Sequence, residues 1–450
     1  MSQREWDHGQ HARAGAGPNP GEFAYKHQAA SSAAFPADTM ATELEEPMPE
    51  LAVGWESCEW NEDRSHMSRR ERAESHGAYM ASIPPSITDM DFDIPSDVAA
   101  EAEDALVKIS RFDAELSAAL PHEDGELAPL AAVLLRTESA SSSQIEGVTA
   151  GATALAIATL KESSGQNARL VAANVEAMQK AIDLADDISV DSFLAAHRAL
   201  MDGHAYARPG EFRDGQVWIG GGPTPHTASF VPARYERVPA AMDDLVAFCK
   251  RTDIPVLTQV SVAHAQFETI HPFNDGNGRA GRTLVHAMLR HSGVTRRLTV
   301  PVSAGLLTDT GAYFDALGAY RDGDPAPIVR QFSRAFFAAV DSGRQLVGDL
   351  TGAYAAWQKD LPSREGSAAR RILPHLLSQP AVTVKHIQQH LGVSQPAAQR
   401  AVDQLVEAGI LNQVSTGKRD RAWIARDVIG ALDDFAARSG RRGHVHHAGR

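Results

Sequence analysis

The chain has 450 residues, a net charge of -14, 43% hydrophobic and 22% charged residues, which is typical of a globular protein of two or three domains. With 2 cysteines a disulfide framework is not expected, and no apolar run reaches the roughly 18 residues that a membrane span requires. The polar N-terminus does not have the pattern of a signal peptide, so the sequence predicts a cytoplasmic protein without membrane contact.

The N-terminal part of the chain is expected to be largely disordered. Residues 1–75 are rich in Gly, Ala, Pro, Ser and acidic residues and show little periodicity, with Trp55 and Trp60 as candidates for a local anchor. Helical periodicity then runs through most of residues 76–187, which are predicted to form a helical module.

A polar segment within this module reads S-S-S-Q-I-E-G and is predicted to end a helix. Ser142 and Glu146 are four residues apart, so they share one face of that helix. Gly147 can terminate it, because glycine tolerates the left-handed conformation. Taken alone, the pattern is common and is typical of an ordinary surface helix end.

The next informative segment is predicted to be a β-hairpin. Residues with high strand propensity flank a turn rich in Gly, Pro and Thr between Val217 and Pro232. The hairpin has four candidate docking residues, which are Gly220, Gly221, Phe230 and Val231. Its exposed edge could bind a peptide by strand addition, and a purely structural hairpin is the alternative.

The strongest chemical signal is the stretch HPFNDGNGR, which begins at His271 and is followed by a further arginine at Arg282. A helical apolar pattern ends before His271 and another begins near Leu284, so the glycines and Arg279 are predicted to lie at a helix N-terminus. Free backbone N–H groups and the helix dipole make such a terminus an anion site. GNGRAG also matches a dinucleotide-binding fingerprint, but a helix precedes it and no acidic residue follows in residues 298–307.

The motif resembles the signature of the Fic family, in the form that transfers AMP from ATP to a protein hydroxyl. The resemblance implies that His271 is the general base for a Ser, Thr or Tyr hydroxyl, with an imidazole pKa that suits neutral pH without retuning. It implies that Asp275 holds Mg²⁺ between the α- and β-phosphates of ATP. Relatives of the Doc type, which phosphorylate their targets, carry Lys at the position of Gly278, so Gly278 favours AMP transfer.

The remaining motif residues are assigned to the phosphates by the same resemblance. Gly276, Asn277 and Gly278 would cradle them through backbone N–H groups and the Asn amide, and Arg279 and Arg282 would grip the β- and γ-phosphates.

The resemblance extends to three segments outside this motif. Ser142, Glu146 and Gly147 match an inhibitory motif whose Glu pairs with Arg282 and takes the place of the γ-phosphate. The predicted hairpin resembles the family's flap, which would hold a target peptide near the catalytic histidine. Tyr313 would lie near the adenine, although the Asn-Arg pair usual in relatives is absent.

The C-terminal segment, residues 361–450, differs in charge from the rest of the chain. It has 13 Lys and Arg against 7 Asp and Glu, and its pattern resembles a winged helix-turn-helix with Ser394 as a helix N-cap and Gly409 as a helix stop. Gln399 and Arg400 are candidates for reading DNA bases, while Asp403 on the same helix opposes DNA binding. DNA and a protein therefore both remain open as partners of this segment.

Together these patterns predict a mainly α protein. It would contain an all-helical Fic core at residues 188–345 with a β-hairpin flap, a preceding helical module and a C-terminal winged helix. The leading hypothesis is an autoinhibited protein adenylyltransferase that uses ATP and Mg²⁺ on itself or another protein, with a homodimer as one option. The alternatives are an ATP-sensing DNA-binding regulator and a hydrolase that removes AMP with the same site.

Overall fold

The computed structural model describes residues 50–60, 75–118, 127–160, 166–183, 187–202, 204–220, 224–296, 298–414 and 421–440. Over these residues the chain is mainly helical with a few short strands, which confirms the predicted fold class. In the same ranges, no helix combines the length and the apolar character that crossing a bilayer would require.

Part of the segment predicted to be disordered is instead a strand. Strand β1, Gly54–Glu59, pairs antiparallel with β2, Ala78–Ile83, over its whole length. Beyond the end of β1, the Trp60 ring is 8% exposed and packs edge-on against other aromatic rings. The prediction was wrong for residues 50–60 because the stabilising partner of β1 lies about twenty residues later, beyond the reach of local periodicity. The rest of residues 1–75, apart from residue 75 itself, lies outside the described residues.

The N-terminal helices are α1 Ser96–Ala118, α2 Leu127–Ile145, α3 Ala152–Ala158 and α4 Gln166–Asp183. The second half of α2 is unusual because its polar side chains are buried: Glu138, Ser139, Ser142 and Ser143 are all 0% exposed. These buried groups have hydrogen-bond partners. Asn174 of α4, for example, donates to the Ser139 carbonyl and to the Ser143 hydroxyl. Buried hydrogen bonds therefore fix the helix that directly precedes Glu146.

The central helices are α5 Val190–Leu200, α6 Val238–Cys249, α7 Val256–Ile270, α8 Asn277–His291, α9 Val302–Leu306 and α10 Thr310–Arg321. Helices α7 and α8 form the centre, since every residue of α7 after its first and nearly every residue of α8 is buried. The loop between them, residues 271–276, contains most of the motif recognised in the sequence. A loop held at both ends by buried helices can keep catalytic side chains in fixed positions.

Helix α11, Ala326–Asp360, connects the parts of the molecule. It packs against α1, α9 and α10 and continues into the C-terminal segment, where the Trp357 indole donates a hydrogen bond of 2.8 Å to Asp427. The boundary of the core was expected at residue 345, which lies inside α11. The apolar face of α11 continues beyond residue 345 with buried residues such as Leu346 and Leu350. The expected start of the winged helix at residue 361 coincides with the end of α11.

The C-terminal segment contains α12 Ala368–Arg371, α13 Leu373–Ser378, α14 Val384–Leu391, α15 Gln395–Glu407 and α16 Arg426–Arg438, with strands β3 Ala381–Val382, β4 Leu411–Gln413 and β5 Trp423–Ala425. The strands form one antiparallel sheet in the order β3-β5-β4. Ser394 occupies the N-cap of α15 without a side-chain cap hydrogen bond, and Gly409 has the left-handed conformation after its end. The predicted basic wing, residues 415–420, lies outside the described residues.

Candidate active site

The loop after α7 places His271 at the end of the helix in a left-handed conformation, with φ 52° and ψ 62°. Its backbone N–H still donates to the Phe267 carbonyl at 2.9 Å, and Pro272 then prevents the helix from continuing. The Asn277 amide accepts from the Phe273 N–H at 2.8 Å and donates to the Phe273 carbonyl at 2.9 Å. The Asn277 amide thus closes the loop with its oxygen and one of its two N–H groups.

His197 packs against the loop and stabilises it. Its ring stacks on Phe273 with centroids 3.7 Å apart, and its Nδ1 accepts a hydrogen bond from the Gly210 N–H at 3.0 Å. Its Nε2 therefore carries the proton and donates to the Asp275 carbonyl at 3.0 Å. Burial lowers the pKa of His197 to about 4, which keeps the ring neutral. His197 is a packing residue, and Phe273 lies in the core.

Asp275 lies at the N-terminal end of α8 with its carboxylate toward the cavity. One carboxylate oxygen accepts from the Tyr206 hydroxyl at 2.7 Å, and the other accepts from the Gly276 N–H at 2.6 Å. Each oxygen keeps a lone pair, so the group suits a hard cation that takes one protein carboxylate and completes its shell with phosphate oxygens and water. The described residues contain no group of three His, Cys, Asp or Glu side chains arranged for a metal. Asp275 therefore offers a hard divalent cation such as Mg²⁺ one carboxylate ligand.

The segment Ser142–Gly147 reaches the cavity and contacts Arg282. Arg282 is 1% exposed, and it donates to the Ser142 hydroxyl at 2.9 Å, to the Ser142 carbonyl at 2.8 Å and to the Glu146 carboxylate at 2.8 Å. Gly147 has φ 75° and ends the segment in the predicted left-handed conformation. A Cβ atom on Gly278 would come 1.9 Å from the Glu146 carboxylate, so only glycine allows this carboxylate to lie over the start of α8.

The two motif arginines do not share one role. Arg282 lines the cavity, whereas Arg279 is not among the described residues that line it. Arg279 is 6% exposed and its guanidinium approaches the sulfur of Met201 at 3.5 Å. Arg279 thus contacts Met201, which follows α5, whereas Arg282 contacts Ser142 of α2. The prediction that both arginines face the phosphates is corrected for Arg279 in this conformation.

These side chains surround one cavity of about 220 Å³. Nine predicted site residues line it: Glu146, Gly220, His271, Asp275, Gly276, Asn277, Gly278, Arg282 and Tyr313. Tyr313 is 1% exposed and its hydroxyl lies 2.8 Å from Nε2 of His264. Tyr313 therefore forms part of the cavity wall, and its contact with the buried His264 fixes its position. A cavity with one carboxylate, one imidazole, a buried guanidinium and a helix N-terminus can bind a polyphosphate and remove a proton near it.

The flap is less regular than the predicted hairpin. Ile219 and Phe230 form an isolated antiparallel bridge with hydrogen bonds of 2.8 and 3.1 Å, and Gly221 lies outside the described residues. Phe230 is buried under the guanidinium of Arg321 at 3.8 Å, and the Val231 carbonyl accepts from the Ser82 N–H of β2 at 3.0 Å. The expected docking role is therefore corrected for Phe230 and Val231, because β1 and β2 already occupy that side. Gly220 lines the cavity, so the other arm of the flap faces the site.

Comparison with known proteins agrees with this geometry. A sequence model of the Fic/DOC family matches residues 187–289, which include the flap, the loop and the start of α8. Residues 187–289 form a Fic domain. A model of the MarR family matches residues 366–422, so the C-terminal segment is a MarR-type winged-helix domain.

The curated relatives are named protein adenylyltransferases, and each aligns with about a third of this chain. The chain is 27% identical over 158 residues to protein adenylyltransferase fic-1 of Caenorhabditis elegans, covering 34% of this chain and 28% of the relative. It is 27% identical over 165 residues to protein adenylyltransferase Fic of Nematostella vectensis, covering 36% and 35%. It is 31% identical over 146 residues to protein adenylyltransferase Fic of Drosophila melanogaster, covering 32% and 27%. The matched segment thus spans about a third or less of each relative's length.

Two solved structures are also similar. A Fic family protein from Desulfovibrio desulfuricans G20 has 22% identity and a TM-score of 0.48, covering 74% of this chain and 97% of the other. Fic-1 from C. elegans has 21% identity and a TM-score of 0.42, covering 57% and 74%.

Two charged residues of the Fic domain were missed as site residues in the sequence. Glu268 lies one helical turn before His271, and Arg213 ends the Arg-Pro-Gly-Glu-Phe-Arg run at the base of the flap. Both are nearly buried, at 5% and 3% exposure. The signal that could have found Glu268 is its spacing, because a residue three positions before His271 lies on the same helix face as His271.

Arg213 fixes the position of the catalytic loop. Its guanidinium donates to four backbone carbonyls, namely His271 at 2.8 Å, Gly215 at 3.0 Å, Ile270 at 3.4 Å and Ala233. Burial lowers the pKa of Arg213 to about 10, and the group stays cationic at neutral pH. The positive charge of Arg213 also acts on His271.

The environment of His271 retunes its imidazole. Burial, followed by the positive charges of Arg213 and Arg321, lowers the pKa of His271 well below its ordinary value. The expectation of an unperturbed imidazole is therefore corrected. The neutral form, which can accept a proton, is the form present at pH 7.

We expect Arg213→Ala to destabilise the Fic domain by about 2–4 kcal/mol, because buried carbonyls lose their donor. The measurement is urea unfolding of the full chain against Arg234→Ala. Arg234 is 45% exposed in its side chain and pairs with Glu236, so its loss should cost less than about 1 kcal/mol. Equal unfolding midpoints for the two variants would contradict the role given to Arg213.

Proposed function

We propose that this protein is an autoinhibited protein adenylyltransferase, which transfers AMP from ATP to a hydroxyl of itself or of another protein. The observation that carries the proposal is the contact of Glu146 with Arg282 above Gly278, inside the cavity that also contains His271. An acid lying where an anion site is otherwise complete is the arrangement expected of an internal inhibitor.

The residues of the cavity divide the chemistry among them. The phosphates would lie against the N-terminal end of α8, where the backbone N–H groups near Gly278 and the helix dipole favour negative charge. Arg282 would exchange Glu146 for a phosphate oxygen while keeping its contacts to Ser142. Mg²⁺, when bound at Asp275 with ATP, would neutralise phosphate charge.

The reaction then needs a base close to the α-phosphate. The neutral His271 would take the proton of the target hydroxyl, whose oxygen attacks the α-phosphorus while pyrophosphate leaves. Gly220 and its neighbours on the cavity side of the flap would position the target chain by main-chain contacts. Tyr313 would stand against the adenine.

The experiment uses Glu146→Gly protein with ATP labelled either at the α- or at the γ-phosphate. Protein-bound label from α-labelled ATP alone supports AMP transfer. Label from γ-labelled ATP would mean phosphorylation, and loss of preattached AMP without transfer would mean a hydrolase.

A second candidate function rests on the MarR-type domain, which suggests DNA binding. Helix α15 would enter the major groove, and Arg400 on it could contact a base edge. Gln399 is less available, because its amide donates to Asp403 on the same helix at 2.8 Å. Binding of the full chain to duplex DNA, titrated with salt, tests this candidate; absence of binding at low salt would end it.

A further inference from the structure

Glu268 is a buried carboxylate beside the catalytic imidazole. Its Oε2 lies 3.8 Å from Nδ1 of His271, and its Oε1 has no hydrogen-bond partner within the described residues. Nδ1 of His271 is likewise without a partner in that part of the chain. A buried acceptor and a ring nitrogen that can donate therefore face each other just beyond hydrogen-bond distance.

The packing holds Glu268 in this place. A Cβ atom on Gly281 of α8 would lie 2.7 Å from Oε1, so the carboxyl group lies directly against the catalytic helix. Burial raises the pKa of Glu268 to about 7, with Glu146 raising it and Arg282 and Arg321 lowering it. These charges and His271 are the titratable or charged groups that face it.

We propose that Glu268 is a positioning residue for the transfer reaction, which accepts a hydrogen bond from Nδ1–H of His271 and so directs Nε2 toward the target hydroxyl. This rests on the proposed function. A small closure of the loop on nucleotide binding would shorten the 3.8 Å separation to a hydrogen bond.

The proton balance of the step follows directly. The hydroxyl O–H bond breaks, its proton goes to Nε2 of His271, and the oxygen forms the bond to the α-phosphorus as the bond to the β-phosphate oxygen breaks. His271 becomes an imidazolium in a cationic surrounding, and the negative charge of Glu268 stabilises it.

The pH dependence has a defined sign. Glu268 must be ionised to accept the hydrogen bond, so activity is lost as the pH falls through the pKa of Glu268. In a variant without this carboxyl group, the pH–rate profile should lack this loss of activity at acid pH, the acid limb.

The test compares Glu268→Gln and Glu268→Asp in the Glu146→Gly background. We expect Glu268→Gln to lower kcat by about 10- to 100-fold at pH 8 with little change in the KM for ATP, and Glu268→Asp to recover part of the loss. The acid limb near neutral pH should be absent only in Glu268→Gln. The matched control is Glu138→Gln, a buried carboxylate outside the cavity that contacts Ser303. Full kcat in Glu268→Gln, or a lower kcat with an unchanged pH profile, overturns the proposal.

A readout independent of transfer separates this inference from the proposed function. Nitrogen-15 NMR of the histidine rings at pH 8, assigned with His271→Ala, should show the Nδ1–H tautomer at His271 and its loss in Glu268→Leu, which has no hydrogen-bond acceptor. If Glu146→Gly transfers no AMP, the proposed function fails while the tautomer still tests Glu268. An unchanged tautomer in Glu268→Leu overturns the inference alone.

A different observation concerns Gln379, which joins the winged-helix domain to the segment around Glu146. Its Oε1 accepts from Arg136 of α2 at 3.2 Å and from Thr159 after α3 at 2.7 Å. Its Nε2 donates to the carbonyls of Ala156 at 2.8 Å and Ala381 at 3.0 Å. The side chain is 6% exposed, so these four contacts are made away from solvent.

We infer that the winged-helix domain braces the inhibitory segment, because helices α2 and α3 flank Glu146 and Gln379 ties both of them to β3. This also rests on the proposed function. Gln379→Ala is expected to raise AMP transfer about fivefold, and Gln379→Ala with Glu146→Gly should equal Glu146→Gly alone.

The matched control is Gln389→Ala, an exposed glutamine of α14 in the same domain, whose activity should not change. Hydrogen exchange at residues 141–146 gives a readout without catalysis and should accelerate in Gln379→Ala. Unchanged exchange and transfer in a Gln379→Ala protein that melts like the control overturn the inference. If Glu146→Gly is inactive but hydrogen exchange accelerates in Gln379→Ala, the proposed function fails, and the inference that Gln379 stabilises this segment is retained.

Discussion

His271→Ala is expected to lower AMP transfer at least about 100-fold in the Glu146→Gly background, because no other described side chain in the cavity is a neutral base close to the phosphate site. The loss should appear in kcat. Affinity for ATP should stay within about threefold, since the phosphates would be held by Arg282 and the N-terminal end of α8 rather than by the imidazole.

The measurement is the initial rate of label transfer from α-labelled ATP, together with nucleotide affinity by calorimetry. The matched control is His291→Ala, an exposed histidine at the end of α8 that lies outside the cavity. Transfer at the parent rate in His271→Ala protein would remove His271 from the mechanism. A loss of ATP affinity equal to the loss of rate would reassign it to binding.

Glu146→Gly is expected to raise AMP transfer of the otherwise unchanged chain roughly 10- to 100-fold, the range expected for losing one buried charge-assisted contact. Arg282 would keep its two hydrogen bonds to Ser142 and would be free to bind a phosphate oxygen in place of the carboxylate. Space above Gly278 would open at the same time.

Two control variants separate the carboxylate from the helix. Gln144→Gly weakens the same helix without removing the contact to Arg282, and it should raise activity far less than Glu146→Gly. Glu146→Gln keeps the shape of the side chain and removes its charge, so it should fall between wild type and Glu146→Gly. Equal activity of Glu146→Gly and wild type would end the hypothesis of autoinhibition.

Sequence and structure contributed differently to the candidate site. The motif around His271 and the segment around Glu146 could be recognised because their spacing is local, within one loop and one helical turn. Their meeting at Arg282 came from the resemblance and agrees with the hydrogen bonds observed. Local spacing could not show that Arg279 faces Met201 or that the Asn277 amide closes its own loop.

The errors in predicting the fold from the sequence have the same origin. Strand β1 was taken for disorder because its partner β2 lies outside the segment, and Phe230 and Val231 were taken for an open edge because the sequence does not show what covers them. The boundary at residue 345 was misplaced because the catalytic core and the winged helix share the long helix α11.

By itself, the sequence of this protein determined the mainly helical class, the loop chemistry at His271 and the presence of a winged helix, since each depends on residues close together in the chain. Only the tertiary structure decided which polar groups share a buried surface. It brought Arg213 to His271 and Gln379 to the helix that precedes Glu146, because burial and charge act over distances in space that chain spacing does not encode.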